Sequence, residues 1–221
     1  MFDQLLAVAV TLAGYKAASV LAERFPRLQP LVVATICVWF AWWLIGEDWE
    51  AYRAGGEWIS FWLGPATVAL AVPLAKQLKE FVHIWRGVLL GVAAGCAVAI
   101  LTVRLVGWLL GTDQTMVHSM MAKSVTTPIA VELTRSIGGI PALGALFTVL
   151  TGIIGVTIAR PVLSWAGIRD DWAIGIAVGT SSHAIGTANL NRVSPVQTAA
   201  SSVAMILAGV VTALYLIPFS T

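Results

Sequence analysis

The sequence predicts an all-α, polytopic membrane protein, and three observations carry that expectation. Hydrophobic residues fill 58% of the 221 positions and charged residues only 11%, against roughly 25% charged in soluble domains. The apolar residues form runs of transmembrane length separated by short charged connections. Ten tryptophans are present, and Trp39, Trp42, Trp43, Trp49, Trp58 and Trp62 flank one acidic stretch, where an aromatic interfacial belt belongs. The expected architecture is a single domain over residues 1–221 with about six or seven transmembrane helices and two or three broken or re-entrant segments.

Taken in order, Leu5 to Leu21 is a short first span with Lys16 as its one internal charge, and Leu31 to Ile45 is a second, opened by Pro30 and closed by Gly46. Glu47 to Glu57 reads as an acidic loop. Trp58 to Leu78 is hydrophobic but interrupted by Pro65 and Pro73, each of which removes an amide and disfavours helix at the preceding residue. Lys76, Lys79, His83 and Arg86 form a basic connection to a long helix from Gly87 to Leu110. Its Gly87, Gly91 and Gly95 share a face that another helix backbone can approach closely. Met116 to Ile137 is polar and broken, and Pro141 to Ala159 is an ordinary span followed by a loop from Arg160 to Asp171. Trp172 to Leu190 turns from apolar to Ser/His/Gly/Thr/Asn-rich, and Pro195 to Ile217 is the last span. The distribution of basic residues between connections favours 116–137 entering and leaving the membrane on one side.

An offset of 59 residues aligns Thr67 with Thr126, Ala71-Val72 with Ala130-Val131 and Leu74 with Leu133. This is the form of an inverted repeat whose two broken segments meet at a binding site. Apolar sequences also align in this way by chance, and both explanations stand open.

The totals exclude several classes of function. Thirteen Lys and Arg oppose eleven Asp and Glu without forming a basic face, so nucleic acid is not a partner. Cys37 and Cys96 are isolated within apolar runs and read as buried small hydrophobes; no Cys/His spacing suits a metal, and no cofactor is implied. The opening M-F-D-Q lacks the basic region of a removed signal peptide. No G-x-S-x-G elbow or H-E-x-x-H is present, and adjacent Ser182 and His183 would point about 100° apart on a helix, so the chain is not expected to be an enzyme.

The candidate site comes from polar residues at membrane depth. Lys123, Ser124, Thr126 and Thr127 precede Pro128, with Glu132 and Arg135 beyond it. The hydroxyls have a plain structural role in covering carbonyls that the proline frees, but the charges do not, because each costs roughly 2.5 to 3.5 kcal/mol if left facing lipid. Ser181, Ser182, His183, Gly186, Thr187 and Asn189 form a second cluster in sequence too small and polar to pack a core. A broken helix there would expose amides suited to a small carboxylate, and His183 is a candidate to carry a proton.

The motifs K-S-V-T-T-P-I-A, I-G-G-I-P, T-G-I-I-G and G-T-S-S-H-A-I-G-T-A, with W-I-S-F-W-L-G-P-A-T-V-A-L-A-V-P-L upstream, resemble the LrgB/CidB family from about Pro30 onward. The resemblance implies a multi-spanning inner (plasma) membrane protein. Members include antiholin-like proteins linked to murein hydrolase activity and cell lysis, the plastid glycolate/glycerate translocator, and bacterial proteins associated with pyruvate uptake. It also points to Thr67, Lys123 to Pro128, Glu132, Ser182, His183, Gly186 and Thr187. The family usually has a basic residue where this chain has Asn189.

The expected function is therefore transport of a small monocarboxylate or hydroxycarboxylate such as glycolate, glycerate, pyruvate or lactate. Lys123 would pair with the carboxylate, and Ser124, Thr126, Thr127, Ser182, Thr187, Gly186, Asn189 and Thr67 would complete the substrate site. Glu132 or His183 would couple transport to a proton or ion. The alternative is an antiholin-like regulator of murein hydrolase activity that oligomerises with a small holin-like partner of the LrgA/CidA type. A homo-dimer or higher oligomer is expected under either.

Overall fold

The computed structural model describes residues 2–25, 28, 30–46, 48–62, 65, 68, 75, 78–191 and 193–220. Among them every secondary-structure element is helical, as the composition predicts. The chain forms two compact units, Met1–Ala69 and Leu70–Thr221. Thr67, Pro73 and Lys76 lie outside the described residues, and so does the upstream half of the internal repeat.

The first unit contains α1 (Phe2–Arg24), α2 (Pro30–Ile45) and α3 (Trp49–Phe61). Asp3 in the first turn of α1 and Arg24 in the last complement its dipole. Gly14 of α1 faces the Val38 side chain of α2, so the two helices approach where a Cβ is missing. Gly46 closes α2 with φ +76°, a conformation glycine adopts without penalty.

The acidic stretch expected as a loop is helical. No proline interrupts Trp49 to Phe61, Gly55 presents bare backbone to Ala7 and Gln4 of α1, and the Tyr52 hydroxyl lies 2.9 Å from Thr11 Oγ1. The fully buried Trp42 meets the Tyr52 ring edge-on at 5.1 Å. The charges stay outside, where Arg53 pairs with Glu50 at 3.5 Å. Cys37, expected to be buried, is exposed. Because α2 is apolar on all sides, its hydrophobicity does not mark which face packs.

The second unit runs α4 (Leu78–Leu109), α5 (Gln114–Met121), α6 (Thr127–Ser136), α7 (Pro141–Trp165), α8 (Asp171–Leu190) and α9 (Pro195–Leu216), ending in a 3-10 turn at Ile217–Phe219. Four helices among the described residues are long and apolar enough to cross a membrane: α1, α4 from Ile84, α7, and α9 extended to Phe219. Of the other expected spans, α2 is a shorter helix, 116–137 holds two short helices and α8 is broken, while most of Trp58 to Leu78 lies outside the described residues. Helix α4 starts at Leu78, within the expected basic connection, because Leu78 to Arg86 holds charged residues but no Pro or Gly to stop it. Helix α7 continues through Pro161 to Trp165, where a loop was expected. One lost amide bond is tolerated inside an otherwise regular apolar helix.

Helix α9 lies at the centre of this unit. Val203, Ala204, Ala208 and Val211 pack against Val88, Val92 and Cys96 of α4. On its other side, Gly175 and Gly179 of α8 approach the α9 backbone at Gln197 and Ser201. A Cβ on Gly179 would lie 2.8 Å from Ser201 Cα, and backbone cannot yield as a side chain does. Gly179→Ala is therefore expected to cost about 1 to 3 kcal/mol in a denaturant titration. Gly56→Ala, which meets nothing within 4 Å, is expected to be neutral or stabilising.

Helices α5 and α6 form a hairpin. At eight and ten residues they are about 12 and 15 Å long, against a hydrocarbon core of roughly 30 Å, so neither crosses. This is the form that a re-entrant 116–137 requires. Ser119 ties the hairpin closed, donating to the Thr115 carbonyl at 2.7 Å and accepting from the Ile140 amide at 2.8 Å.

Asp113 caps α5, accepting from the Thr115 amide at 2.9 Å. Thr115, through its hydroxyl and then its amide, holds this carboxyl below the usual carboxylate range. A depressed folded value contributes stability above the unfolded value of about 4, and the contribution fades as pH falls through the folded one. Asp113→Ala is thus expected to speed amide exchange at Thr115 and Met116 near neutral pH, and to make no difference once the carboxyl is protonated in both states.

Candidate functional site

A cavity of about 910 Å³ opens within the second unit between α4, the α5–α6 turn, α7 and α8. Its walls are mostly aliphatic, and Lys123 is the one charged residue that lines it among the described residues. Lys123 lies in the turn after α5, where its amide bonds to the Met120 carbonyl at 3.2 Å. The Thr-Thr-Pro sequence explains the turn: Thr126 has extended φ/ψ, as a residue before a helix start should, and Pro128 occupies the first turn of α6, where its missing amide costs nothing. Val125 and Ala130 pack into the cluster formed with Ile100, Val103 and Leu216, anchoring the hairpin on α4 and α9. The Lys123 ammonium has no ion pair and no side-chain hydrogen bond among the described residues.

Ser124, Thr151, Thr180 and Ser181 supply the polar part of the lining. Thr180 and Ser181 donate to the Ile176 and Ala177 carbonyls, both at 2.8 Å. Gly87, Gly91 and Gly95 of α4 and Gly155 of α7 also line the cavity, their missing side chains leaving room for it. Sequence reasoning read the α4 glycines as helix packing only. That is also correct for Gly95, where a Cβ would lie 2.9 Å from Thr180 Cγ2. The available signal was the fourfold spacing that aligns all three on one face.

The residues predicted from sequence divide between the lining and its support. Lys123 and Ser124 line the cavity, and so does Ser181 from the second cluster. Thr126 is buried with its hydroxyl unpartnered among the described residues, and Thr127 is half-buried. Neither lines the cavity, and neither do Ser182, His183, Gly186 and Thr187, which are buried. Asn189 is exposed. Glu132 lies on the exposed face of α6, held by Arg135 Nη1 at 2.8 and 2.9 Å, and is not directed to the cavity. A three-residue separation on a helix brings these two charges together, and their mutual pairing accounts for both.

The buried members hold a break in α8. His183 has φ 40° and ψ −137°, the only non-glycine with positive φ among the described residues. This conformation suits the first central position of a type II′ turn, which glycine normally fills. Surrounding contacts hold it there. His183 Nε2 donates to the Thr148 carbonyl of α7 at 2.9 Å, and Nδ1 is buried without a partner among the described residues. Gly152 makes room for the imidazole and Gly155 for Ser182. Thr187 donates to the His183 carbonyl at 2.9 Å, and its oxygen lies 2.8 Å from Ser201 Oγ on α9. The break therefore lies against α7 just beyond Ser181, at the end of the cavity wall.

Chemically, the arrangement offers, among the described residues, one unpaired positive charge with hydroxyl groups in a partly open, mostly aliphatic cavity. Such a place attracts a monoanion. No group of three or more His, Cys, Asp or Glu suited to a metal ion is present among the described residues.

Residues 11–221 match the model of the LrgB-like family. Two uncharacterized proteins of Bacillus subtilis (strain 168), YxaC and YwbG, are 35% and 36% identical to the chain over 212 and 216 residues. These alignments cover 93% and 96% of the chain and 90% and 95% of the relatives. The Antiholin-like protein LrgB of Bacillus mycoides (strain KBAB4) is 32% identical over 209 residues, covering 93% of the chain and 90% of that protein. No solved structure matches. The broken hairpin around Lys123 and the interrupted helix at His183 thus lie within a match that spans almost the whole sequence, and the chain belongs to the LrgB-like family.

Proposed function

We propose that this protein binds a small organic monocarboxylate in the α4–α7–α8 cavity and carries it across the inner (plasma) membrane. One observation carries this function: Lys123 stands without an ion-pair partner among the described residues, in a mostly aliphatic cavity with a few hydroxyl groups. A lone cation at membrane depth costs roughly 2.5 to 3.5 kcal/mol, a cost that an arriving carboxylate offsets. Ser124 and Thr151 donate further hydrogen bonds to the carboxylate, and the Ser181 oxygen accepts from a hydroxyl group where the acid carries one. His183 acts through the wall it holds. Glycolate, glycerate, pyruvate and lactate are the acids that the family resemblance implies.

A second function has its own support. The relative in Bacillus mycoides is named antiholin-like, which favours a regulator of lysis that assembles with a small holin-like membrane protein. Uptake of the four labelled acids into proteoliposomes separates the two. Saturable, acid-selective flux above empty vesicles is expected. Absence of flux for all four, with lysis timing altered in cells, would assign the protein to the regulatory class.

A further inference from the structure

The contacts of α8 show that it does not run straight. Asp171 at its start accepts from Ser194 Oγ at 3.2 Å and from Gln197 Nε2 at 2.7 Å, at the start of α9. Gly175 then faces Gln197 and Ala200, and Gly179 faces Ser201, so Asp171 to Ser182 follows α9 in the same direction. Beyond His183 the order reverses. Thr187 meets Ser201 again, and the Leu190 carbonyl accepts from the Ser194 amide at 3.1 Å. A Cβ on Gly186 would lie 2.7 Å from Val178 Cγ1 and 3.3 Å from the Val178 oxygen, whereas a straight helix would hold these residues about 12 Å apart. The chain therefore doubles back at the positive-φ His183. Its two halves, about 18 and 10 Å long, are both too short for a hydrocarbon core of roughly 30 Å.

Both ends of this hairpin lie beside the start of α9. Both ends of the α5–α6 hairpin lie at the other end of the spans, where Val117 meets Gly107 near the end of α4 and Ile137 clusters with Leu216 near the end of α9. A hairpin followed by the span α7, then a hairpin followed by the span α9, is one pattern used twice in opposite orientation. Arg160, Arg169 and Arg192 fall at the α8 face by sequence, which marks it as cytoplasmic. The described lining of the cavity runs from Gly87 to Ala99 on α4 and from Thr151 to Leu163 on α7, the parts nearer that face, and Lys123 and Ser124 of the opposite hairpin line it too.

We propose that α8 is a re-entrant hairpin entering from the cytoplasmic face against α5–α6 from the outer face, and that the two tips are alternate gates of one pathway, open here to the cytoplasm. The α5–α6 tip closes the outer side over Lys123, and the Ser182–His183 tip closes the inner side in the opposite state. The gating rests on the transport function proposed above; the placement of α8 does not.

Single cysteines in the full-length protein carrying Cys37→Ser and Cys96→Ala test both parts. They are reacted with a membrane-impermeant, anionic methanethiosulfonate in right-side-out and inside-out vesicles. Ile168→Cys and Val193→Cys, on either side of α8, are expected to react from the cytoplasmic face, and Gln114→Cys and Ser220→Cys from the outer face. Val193→Cys reacting from the face opposite Ile168→Cys would make α8 a span and overturn the proposal, whatever the flux.

Ser124→Cys is expected to react from the cytoplasmic face at rest, and severalfold faster from the outer face while a transported acid is exchanging than without it. Thr151→Cys, which lines the same cavity, repeats the readout from α7. Equal rates from both faces at rest, or no gain from the outer face during saturable exchange, overturn the gating and leave transport standing. Absence of flux for every acid overturns transport and the gating together.

Discussion

Lys123→Gln is expected to lower carboxylate affinity by about 30-fold to 5,000-fold, the range for removing one partner of a desolvated charge pair. The same substitution should make the empty protein more stable. In the ligand-free state the ammonium contributes no ion pair among the described residues and carries the cost of a cation at membrane depth, so its removal relieves that cost. Opposite signs for binding and stability are what a site that gives up stability for function should show. Lys123→Met should extend the trend, with further stability and no recovery of binding. The check is a dialysis titration beside an SDS-unfolding curve for the same samples. A loss of binding accompanied by an equal loss of stability would instead mark Lys123 as a structural residue.

His183 supports the second large effect. His183→Ala removes a buried ring and its bond to the Thr148 carbonyl, and large-to-small changes at buried sites cost about 2 to 5 kcal/mol. His183→Gly is expected to be less damaging by about 1 kcal/mol or more, because positive φ penalises every residue that has a Cβ. This reverses the order inside ordinary helices, where alanine is favoured over glycine by about 1 kcal/mol. Unfolding titrations of the two variants side by side measure the difference directly. Alanine more stable than glycine would mean that residue 183 is helical in solution and that the break in α8 does not exist there.

Much of the fold was legible because its signals are local. Long apolar runs mark α1, α4, α7 and α9, and Pro128 together with the Thr pair marks the hairpin break. The misreadings share a cause. Leu78 to Arg86 and Arg160 to Trp165 are helical although their charged and polar residues suggested connections, since charge does not stop a helix, and α7 runs on through Pro161. The acidic stretch became α3 because Gly55 docks on Ala7 and Gln4, a long-range contact that no window of sequence displays.

The site was legible in part for the same reason. Lys123 and Ser124 were identifiable because a charge beside a proline in apolar sequence needs a cause. In the second cluster, polarity alone could not separate Ser181, which faces the cavity, from Ser182 and His183 next to it, which face α7. A helix turns about 100° per residue, and only the packing of Gly152 and Gly155 determines which side is which. Glu132 attracted attention as an intramembrane charge, yet Arg135 one turn on accounts for it.

The most direct test of the central claim, that the cavity holding Lys123 is where the anion sits, is protection from chemical labelling at Ser181. Ser181→Cys is introduced in a background with Cys37→Ser and Cys96→Ala, and the rate of modification by a methanethiosulfonate reagent is measured in proteoliposomes. Saturating pyruvate or butyrate is predicted to slow labelling severalfold, and the protection is predicted to vanish when Lys123→Gln is added. An unchanged labelling rate at concentrations that saturate flux would contradict the account, because the transported anion would then be passing somewhere else.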